Sequence, residues 1–189
     1  LLFSPVLLVI YPLILIVIYI SDGSPGLYKQ QRVGENGKSF LLYKFRTMDA
    51  LSSDTVHQEH YEELSKKETI EPSLTPSKPI RIENDDRITN IGNFLRKTSL
   101  DELPNLINVL RGEMSIVGPR PLVKYESDLY GDHQKIRNTV KPGITGLAQI
   151  QGRLDLSLQE RLYWDLEYVK TRSISVDVKI IFLTFYYVV

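Results

Sequence analysis

The chain has 189 residues, enough for one domain with a sizeable core and at most a small appendage. Lys plus Arg number 23 and Asp plus Glu number 23, so the chain lacks the excess positive charge that drives bulk nucleic-acid binding. It has no cysteine, which excludes disulfides, thiolate nucleophiles and cysteine zinc sites, and His57, His60 and His133 lack ligand spacing, so a metal site would need oxygen ligands.

The first predicted element is the uncharged run LLFSPVLLVIYPLILIVIYI, which is long enough for a helix to cross a bilayer core of about 30 Å. Pro5 follows Ser4 in this run, and a proline inside a helix removes a backbone hydrogen bond and favours a bend. The arm after such a bend would be about 22 Å long, too short for a full crossing. A spanning helix, a re-entrant helix and a buried helix all stay open. Because the chain begins without methionine and both ends are apolar, we expect a fragment of a longer protein.

A β-hairpin is predicted next, from LYKQQRV and SFLLYKFRTM around a turn that contains Asn36-Gly37. Basic residues outnumber acidic ones in this hairpin. Lys44 and Arg46 are two positions apart, so on a strand they would project from one face. They could grip a phosphate there, or they could simply belong to a solvated strand face.

Residues 49–87 have a different composition. DTVHQEHYEELSKK is a polar helix candidate, and the turn-rich EPSLTPSKP follows it. His57 and His60 would share one face of this helix, where we expect plain surface residues. The segment is interpreted as a variable insertion that carries no chemistry.

Two amphipathic helices, in RITNIGNFLRKTS and LPNLINVL, are predicted to meet at Thr98-Ser99. The segments SIVGPRPLV and VKPGITGLAQIQG are rich in loop-forming residues. Ser157 and Glu160 then form a capping-box pattern that opens a helix through about Lys170. The final SVDVKIIFLTFYYVV is typical of a membrane-associated helix.

Two adjacent acids, Asp101 and Glu102, lie where the second amphipathic helix begins. In one frame, Ser99 and Glu102 form a capping box, but Pro104 then lies inside the helix, where its missing N–H costs a hydrogen bond. In the other frame, Asp101 is the N-cap and Pro104 lies in the first turn, where no N–H is needed. Either frame places both acids at the positive end of a helix, which favours the ionised carboxylate and attracts phosphate oxygens. Two acids and a phosphate need cations in a dry site, and Arg96 and a divalent metal could supply them.

Arg120 is a second candidate cation, on a loop stiffened by Pro119 and Pro121, where fixed φ angles reduce the freedom that it loses on binding a phosphate. Purely structural roles are the alternative for the two acids and Arg120. Asp101 could be a cap, Glu102 a capping-box acid and Arg120 a loop residue. The residues alone therefore support a hypothesis of phosphate handling, with Asp101 as a potential nucleophile.

Six blocks, taken in chain order, resemble the bacterial sugar transferase family, the monotopic phosphoglycosyl transferases that act on polyprenol phosphate. The blocks are SP, QQRVG, YKFRTM, LRKTSLDELPNLINVLRGEMSIVGPRP, KPGITGLAQIQGR and DLEYV. They extend over nearly all of the chain outside residues 49–87, and LDELPN in tandem with GPRP is the most specific pair. Asp165 and Tyr168 belong to the last block, and we assign them a structural role.

The resemblance implies that a sugar-1-phosphate passes from a UDP-sugar to undecaprenyl phosphate, with Mg²⁺ as cofactor and UMP as by-product, as the first membrane step of glycoconjugate assembly. It implies that Asp101 is the nucleophile of a covalent aspartyl-phosphosugar intermediate, and that Glu102 acts in metal support or proton transfer. The implied metal ligands are Asp101 and Glu102. The implied phosphate- or nucleotide-binding residues are Arg96, Arg120, Lys44, Arg46, Pro119 and Pro121.

The predicted fold is α+β and mainly α, in a monotopic protein at the cytoplasmic face of the bacterial inner membrane. By the resemblance, residues 1–21 form a re-entrant helix broken at Ser4-Pro5, with its first arm mostly missing. Residues 22–189 form a compact catalytic domain with a small β-hairpin, the insertion at about 49–87 and amphipathic interfacial helices, including the C-terminal one.

The predicted partners are the UDP-sugar, undecaprenyl phosphate and the lipid bilayer, without nucleic acid. Apolar residues near the C-terminus could face lipid or the second subunit of a homodimer. Two alternatives come from other functional classes. Residues 88–111 could form a helix-turn-helix in a membrane-tethered nucleic-acid binder, or the chain could be a membrane scaffold whose acids merely cap a helix.

Overall fold

A computed structural model describes residues 4–49, 52, 55–66, 70–75, 78–82 and 85–188. The helices in this part of the chain are α1 (Ser4–Asp22), α2 (Thr55–Lys66), α3 (Asn90–Lys97), α4 (Asn105–Leu110), α5 (Lys124–Asp128), α6 (His133–Arg137), α7 (Leu147–Gln151), α8 (Leu158–Thr171) and α9 (Ile174–Val188). The strands are β1 (Leu27–Val33), β2 (Ser39–Phe45), β3 (Ser115–Val117) and β4 (Gly143–Thr145). Short 3-10 turns cover Glu35–Gly37, Leu100–Glu102 and Arg153–Asp155. The fold is therefore mixed and mainly helical, which confirms the predicted class.

The predicted hairpin is confirmed, since β1 and β2 pair antiparallel over their whole length. Asn36 and Gly37 in the connecting turn have φ angles of 54° and 76°, a region that Asn and Gly tolerate best. In the resulting register Lys44 lies opposite Tyr28, and residues two apart share a face. Arg32 and Lys44 are therefore on the same face of the hairpin.

Helix α1 packs against the hairpin and α3, where Ile18, Phe45 and Leu95 are buried in one hydrophobic cluster. The predicted break at Ser4-Pro5 depends on residues before Ser4, which lie outside the described residues, so the break stays a prediction. Among the helices that the structure describes, none is both long and apolar enough to cross a bilayer.

Exposed apolar side chains are frequent on both α1 and α9. They include Val9, Leu13, Ile16, Ile20, Val178, Phe182, Phe185 and Tyr186. The opposite side of α9 is anchored, since Ile180 is buried against Val117, Val140 and Tyr168. Each of these helices therefore has one face in the core and one face without a protein neighbour among the described residues, and the predicted membrane association of α9 stays a prediction.

The polar helix predicted within residues 49–87 is confirmed as α2, but it is not a plain surface helix. Tyr61 is 2% exposed and packs in a hydrophobic cluster with residues of α8. Nη1 of Arg161 donates to the Tyr61 hydroxyl over 3.1 Å. Nδ1 of His57 lies 2.6 Å from the hydroxyl of Tyr125. Helix α2 thus contributes to the core through Tyr61, which is buried and whose hydroxyl is hydrogen-bonded to Arg161.

The predicted capping box is confirmed at the start of α8. Ser157 Oγ accepts a hydrogen bond from the backbone N–H of Glu160, and the Glu160 carboxylate accepts one from the backbone N–H of Ser157. Further along α8, Oδ2 of Asp165 lies 2.8 Å from Nε of Arg137, with both side chains almost completely buried. The Tyr168 hydroxyl donates to Asp177. These contacts agree with the structural role assigned to Asp165 and Tyr168.

A parallel strand pair occurs where only loops were predicted. Ser115 of β3 pairs with Gly143 of β4, and Val117 pairs with Thr145. The backbones approach closely here, because a Cβ on Gly143 would lie only 2.1 Å from the backbone nitrogen of Gly118. A residue with a side chain does not fit at position 143. Glycine there lets the GPRP and KPGITG segments pack against each other.

Helix α3 meets the end of β2 in a similarly close contact at Gly92. A Cβ at this position would lie 2.0 Å from the carbonyl oxygen of Thr47. The same carbonyl accepts a hydrogen bond of 3.1 Å from the backbone N–H of Thr89, the residue that caps α3. Because Gly92 has no side chain, α3 can pack directly against the backbone of Thr47, just after the hairpin.

We expect Gly92→Ala to lower the free energy of unfolding by about 1–3 kcal/mol, because the added methyl group overpacks this contact. Asn93→Ala, at an exposed position of the same helix, is the control and should change it by less than about 0.5 kcal/mol. Urea denaturation followed by circular dichroism measures both. Unchanged stability of Gly92→Ala would show that α3 can shift away from Thr47 without cost.

Candidate functional site: a clamped acidic pair

The acidic pair lies in the 3-10 turn Leu100–Glu102, and neither predicted capping frame is correct. Ser99 has the left-handed φ angle of 55° and makes no side-chain cap, and the residue that precedes α4 is Pro104. The left-handed residue reverses the chain before the turn, so the acids are placed by the turn rather than by a helix start. Helix α4 then has only six residues behind an acidic turn, which does not suit a recognition helix.

Glu102 is held by two cations that meet on a single oxygen. Nζ of Lys44 lies 2.5 Å from Oε1 of Glu102, and Nη1 of Arg120 lies 3.2 Å from the same atom. Burial alone raises the pKa of Glu102, but Lys44 and Arg120 outweigh it and hold the pKa at about 2. Glu102 is therefore ionised at neutral pH, and we call these three side chains the cation clamp.

Asp101 has a different environment from its neighbour. It is 8% exposed, and its burial raises the pKa of the carboxyl group while Lys44 lowers it. Nζ of Lys44 lies 3.9 Å from Oδ2 of Asp101. Within the described part of the chain the Asp101 carboxylate accepts no hydrogen bond. Its oxygens thus stay available to an electrophile, whereas Oε1 of Glu102 is occupied.

The backbone around Arg120 is fixed at three consecutive carbonyl groups. The carbonyl of Pro119 accepts from the N–H of Gly143 over 2.9 Å, and that of Arg120 accepts from Nη2 of Arg137 over 2.5 Å. The carbonyl of Pro121 accepts from Nη1 of Arg32 over 3.1 Å. The prolines limit φ on both sides, as predicted, and these bonds complete the restraint. Arg120 therefore reaches Glu102 from a rigid loop.

Arg96 approaches the acidic pair from α3. Its Nε donates to Oγ1 of Thr47 over 2.8 Å. Burial lowers the pKa of Arg96, and the charge of Asp101 acts against this, as expected for neighbouring opposite charges. Among the residues that the structure describes, Nη1 and Nη2 of Arg96 have no hydrogen-bond acceptor. These two nitrogens can accept an anionic ligand without breaking a protein contact.

Arg46 follows the last residue of β2, and its predicted role in phosphate binding stays a prediction. Strand β2 ends at Phe45, and the Arg46 side chain is 5% exposed. Its Nη2 donates to the carbonyls of Asp22 and Gly23, over 2.6 and 2.8 Å. Its hydrogen bonds are thus with the end of α1, while Lys44 contacts the acids.

Arg32 and Asn105 were missed as site residues. A small pocket beside the acidic pair is lined by Arg32, Leu42, Lys44, Glu102, Asn105, Arg120, Pro121 and Gly143. Arg32 could have been found from the sequence, because the hairpin register puts it on the face of Lys44. Asn105 is 1% exposed and follows the acids by one turn. The sequence around it predicted a helix but did not indicate a site residue at this position.

The acidic pair can supply part of a Mg²⁺ site. The described residues contain no cluster of three or more His, Asp or Glu side chains that could hold a metal by themselves. Mg²⁺ commonly binds through one or two carboxylates together with substrate phosphates and water. The carboxylate of Asp101, which accepts no hydrogen bond among the described residues, and the second oxygen of Glu102 fit that requirement, so a metal would depend on a bound phosphate.

The sequence was compared with protein families and with known proteins. The family described as bacterial sugar transferase matches residues 1–189. The chain is 44% identical over 181 residues to an undecaprenyl-phosphate galactose phosphotransferase of Salmonella typhimurium, and 40% identical over 192 residues to a UDP-glucose:undecaprenyl-phosphate glucose-1-phosphate transferase of Escherichia coli. These matches include 95% and 97% of the chain but only 37% and 36% of the relatives.

A shorter relative matches over most of its own length. It is the exopolysaccharide production protein ExoY of Rhizobium meliloti, 41% identical over 184 residues, which include 97% of the chain and 77% of the relative. The chain thus spans little more than a third of the first two relatives and about three quarters of this one.

The cation clamp predicts a pH-dependent stability. The folded-state pKa of Glu102, about 2, is below its ordinary value of 4.5, so the ionised group stabilises the fold above pH 4.5 and this contribution is lost as the pH falls toward 2. We expect Glu102→Gln to lower the free energy of unfolding by about 3 kcal/mol near pH 7 and by about half as much near pH 3. Urea denaturation across this range measures the difference.

Glu59→Gln, at an exposed position of α2, is the matched control and should leave stability nearly unchanged at every pH. A loss in Glu102→Gln that is the same at all pH values would contradict an ionised, clamped Glu102.

Proposed function

Because this chain belongs to the bacterial sugar transferase family, we propose that it transfers a sugar-1-phosphate from a UDP-sugar to undecaprenyl phosphate, producing undecaprenyl-diphosphate-sugar and UMP. The names of two relatives describe phosphotransfer to this lipid. The observation that carries the proposal is a buried Asp101 carboxylate without a hydrogen bond, next to a Glu102 that is clamped by Lys44 and Arg120.

In the first step an oxygen of Asp101 attacks the phosphorus that carries the sugar. The new acyl–phosphate bond forms while the bond from this phosphorus to the bridging oxygen breaks, and UMP leaves with the electron pair. Three cations near Asp101, namely Lys44, Arg96 and Arg120, offset the negative charge of the diphosphate. Arg96 is suited to grip phosphate oxygens, because its two Nη groups have no acceptor among the described residues.

In the second step an oxygen of undecaprenyl phosphate attacks the same phosphorus. The acyl–phosphate bond breaks, the diphosphate link to the lipid forms, and the Asp101 carboxylate is regenerated. Two steps through a covalent intermediate let two bulky anions react in turn at one site. The same cations that served the UDP-sugar would then serve the lipid phosphate.

Of the two roles considered for Glu102, metal support and proton transfer, its low pKa favours metal support. A group with a pKa of about 2 has no proton to donate at neutral pH and is a poor base. Glu102 instead holds Lys44 and Arg120 in place beside Asp101. We propose that Mg²⁺ is held by Asp101 and Glu102, and when bound it supplies positive charge to the transferring phosphoryl group.

The proposal includes a monotopic arrangement at the cytoplasmic face of the inner membrane, with α1 as the second arm of a re-entrant helix. The exposed apolar faces of α1 and α9 support contact with lipid. Helix α1 ends at Asp22, close in sequence to the hairpin that carries Lys44. We propose that the lipid-bound acceptor approaches the acidic pair from this end of α1. A homodimer stays a prediction.

We expect Asp101→Asn to lower the rate of UMP release by at least about a thousandfold, because the isosteric amide cannot act as the nucleophile. The assay combines the purified protein with Mg²⁺, undecaprenyl phosphate and, in turn, UDP-galactose and UDP-glucose. Asp132→Asn, at an exposed aspartate paired with Lys135, is the control and should keep wild-type activity. Near-normal turnover by Asp101→Asn would rule out this residue as the nucleophile.

A further inference from the structure

Three chain segments meet near Arg96: the end of α1, the residues after β2 and the start of α3. The Thr89 side chain links two of them. Its Oγ1 donates to Oδ2 of Asp22 over 2.7 Å and accepts from the backbone N–H of Gly92 over 2.9 Å, which caps α3. One hydroxyl group therefore ties the start of α3 to the last residue of the apolar helix α1.

Thr47 lies at the centre of this junction and its backbone is restrained from both sides. Arg46, the preceding residue, donates to the carbonyl of Asp22, the last residue of α1, and to that of Gly23, which follows it. The Thr47 carbonyl accepts from the N–H of Thr89 and touches the α-carbon region of Gly92, where no side chain would fit. Thr47 can therefore move only together with α1 and α3.

The Thr47 side chain transmits this restraint to Arg96. Oγ1 of Thr47 accepts from Nε of Arg96 over 2.8 Å, and Thr47 is only 7% exposed. A guanidinium group is planar, so a bond at Nε fixes the direction of its Nη edge. That edge has no acceptor within the described part of the chain, and Arg96 lies near enough to Asp101 for their charges to interact. Leu95, which precedes Arg96 on α3, packs in one cluster with Leu100. Because Leu100 precedes Asp101, Arg96 lies close to the acidic pair.

We infer that Thr47 is a positioning residue, which orients the Nη edge of Arg96 toward a phosphate of the nucleotide sugar, and that the Asp22–Thr89 bond couples this orientation to helix α1. The inference rests on the proposed function for the identity of the phosphate. It assigns a role to Thr47, Thr89 and Asp22, none of which touches the acidic pair. It also explains why an arginine, rather than a lysine, occupies position 96, since only a guanidinium can bind Thr47 and a phosphate with different nitrogens.

The test is a double-mutant cycle on kcat/KM for the UDP-sugar. We expect Thr47→Val to lower kcat/KM about tenfold, because Arg96 loses its fixed orientation, and Thr47→Ser to stay within about twofold of wild type, because the hydroxyl remains. In the Arg96→Ala background Thr47→Val should change kcat/KM less than about twofold, since Thr47 acts through Arg96. The dissociation constant for UDP, from isothermal titration calorimetry, gives the same cycle where turnover is too slow to measure.

The outcomes separate the inference from the function on which it rests. Equal losses from Thr47→Val with and without Arg96, or an equal loss in Thr47→Ser, would overturn the positioning role and leave Thr47 as a plain structural residue. Asp22→Ala tests the coupling to α1: we expect a loss of about threefold that disappears in the Arg96→Ala background. Wild-type behaviour of Asp22→Ala would overturn the coupling. Failure of the wild-type protein to release UMP would instead refute the proposed function.

Discussion

The site depends on one carboxylate oxygen, Oε1 of Glu102, on which Lys44 and Arg120 converge from separate parts of the chain. Burying any of these charges alone would cost several kcal/mol, and their mutual attraction offsets that cost. Arg96 and Asp101 lie close to this group, so three cations surround the two acids. These cations let an anionic diphosphate approach Asp101, which two acids without them would repel.

The rest of the fold restrains the groups that form this clamp. Arg137, neutralised by the buried Asp165, holds the carbonyl of Arg120, and the glycine contact between β3 and β4 fixes the same loop from the other side. Lys44 stands on a regular strand of the hairpin. Each cation is thus positioned by backbone or buried partners before any substrate binds, which lowers the reorganisation needed during catalysis. The flexible side chains of a surface cluster would not provide this.

The sequence was informative wherever structure follows from neighbouring residues. The hairpin turn at Asn36-Gly37 and the Ser157 capping box depend on local backbone preferences, and both are present. The acidic pair and Arg120 were identified as neighbours through motif resemblance, and they do meet. The contacts that the sequence did not predict have non-local causes. The parallel strands pair segments far apart in sequence, and the Arg46 side chain binds carbonyl groups at the end of α1, on a separate element.

The central claim is that the Asp101 carboxylate beside the cation clamp becomes covalently bonded to phosphorus. The most direct measurement is intact-protein mass spectrometry after incubation with Mg²⁺ and a UDP-sugar but no lipid acceptor, followed by peptide mapping. The predicted result is a mass increase of one sugar phosphate on Asp101, which undecaprenyl phosphate then removes. Turnover of both substrates by a protein that never carries this adduct, or carries it on another residue, would contradict the claim.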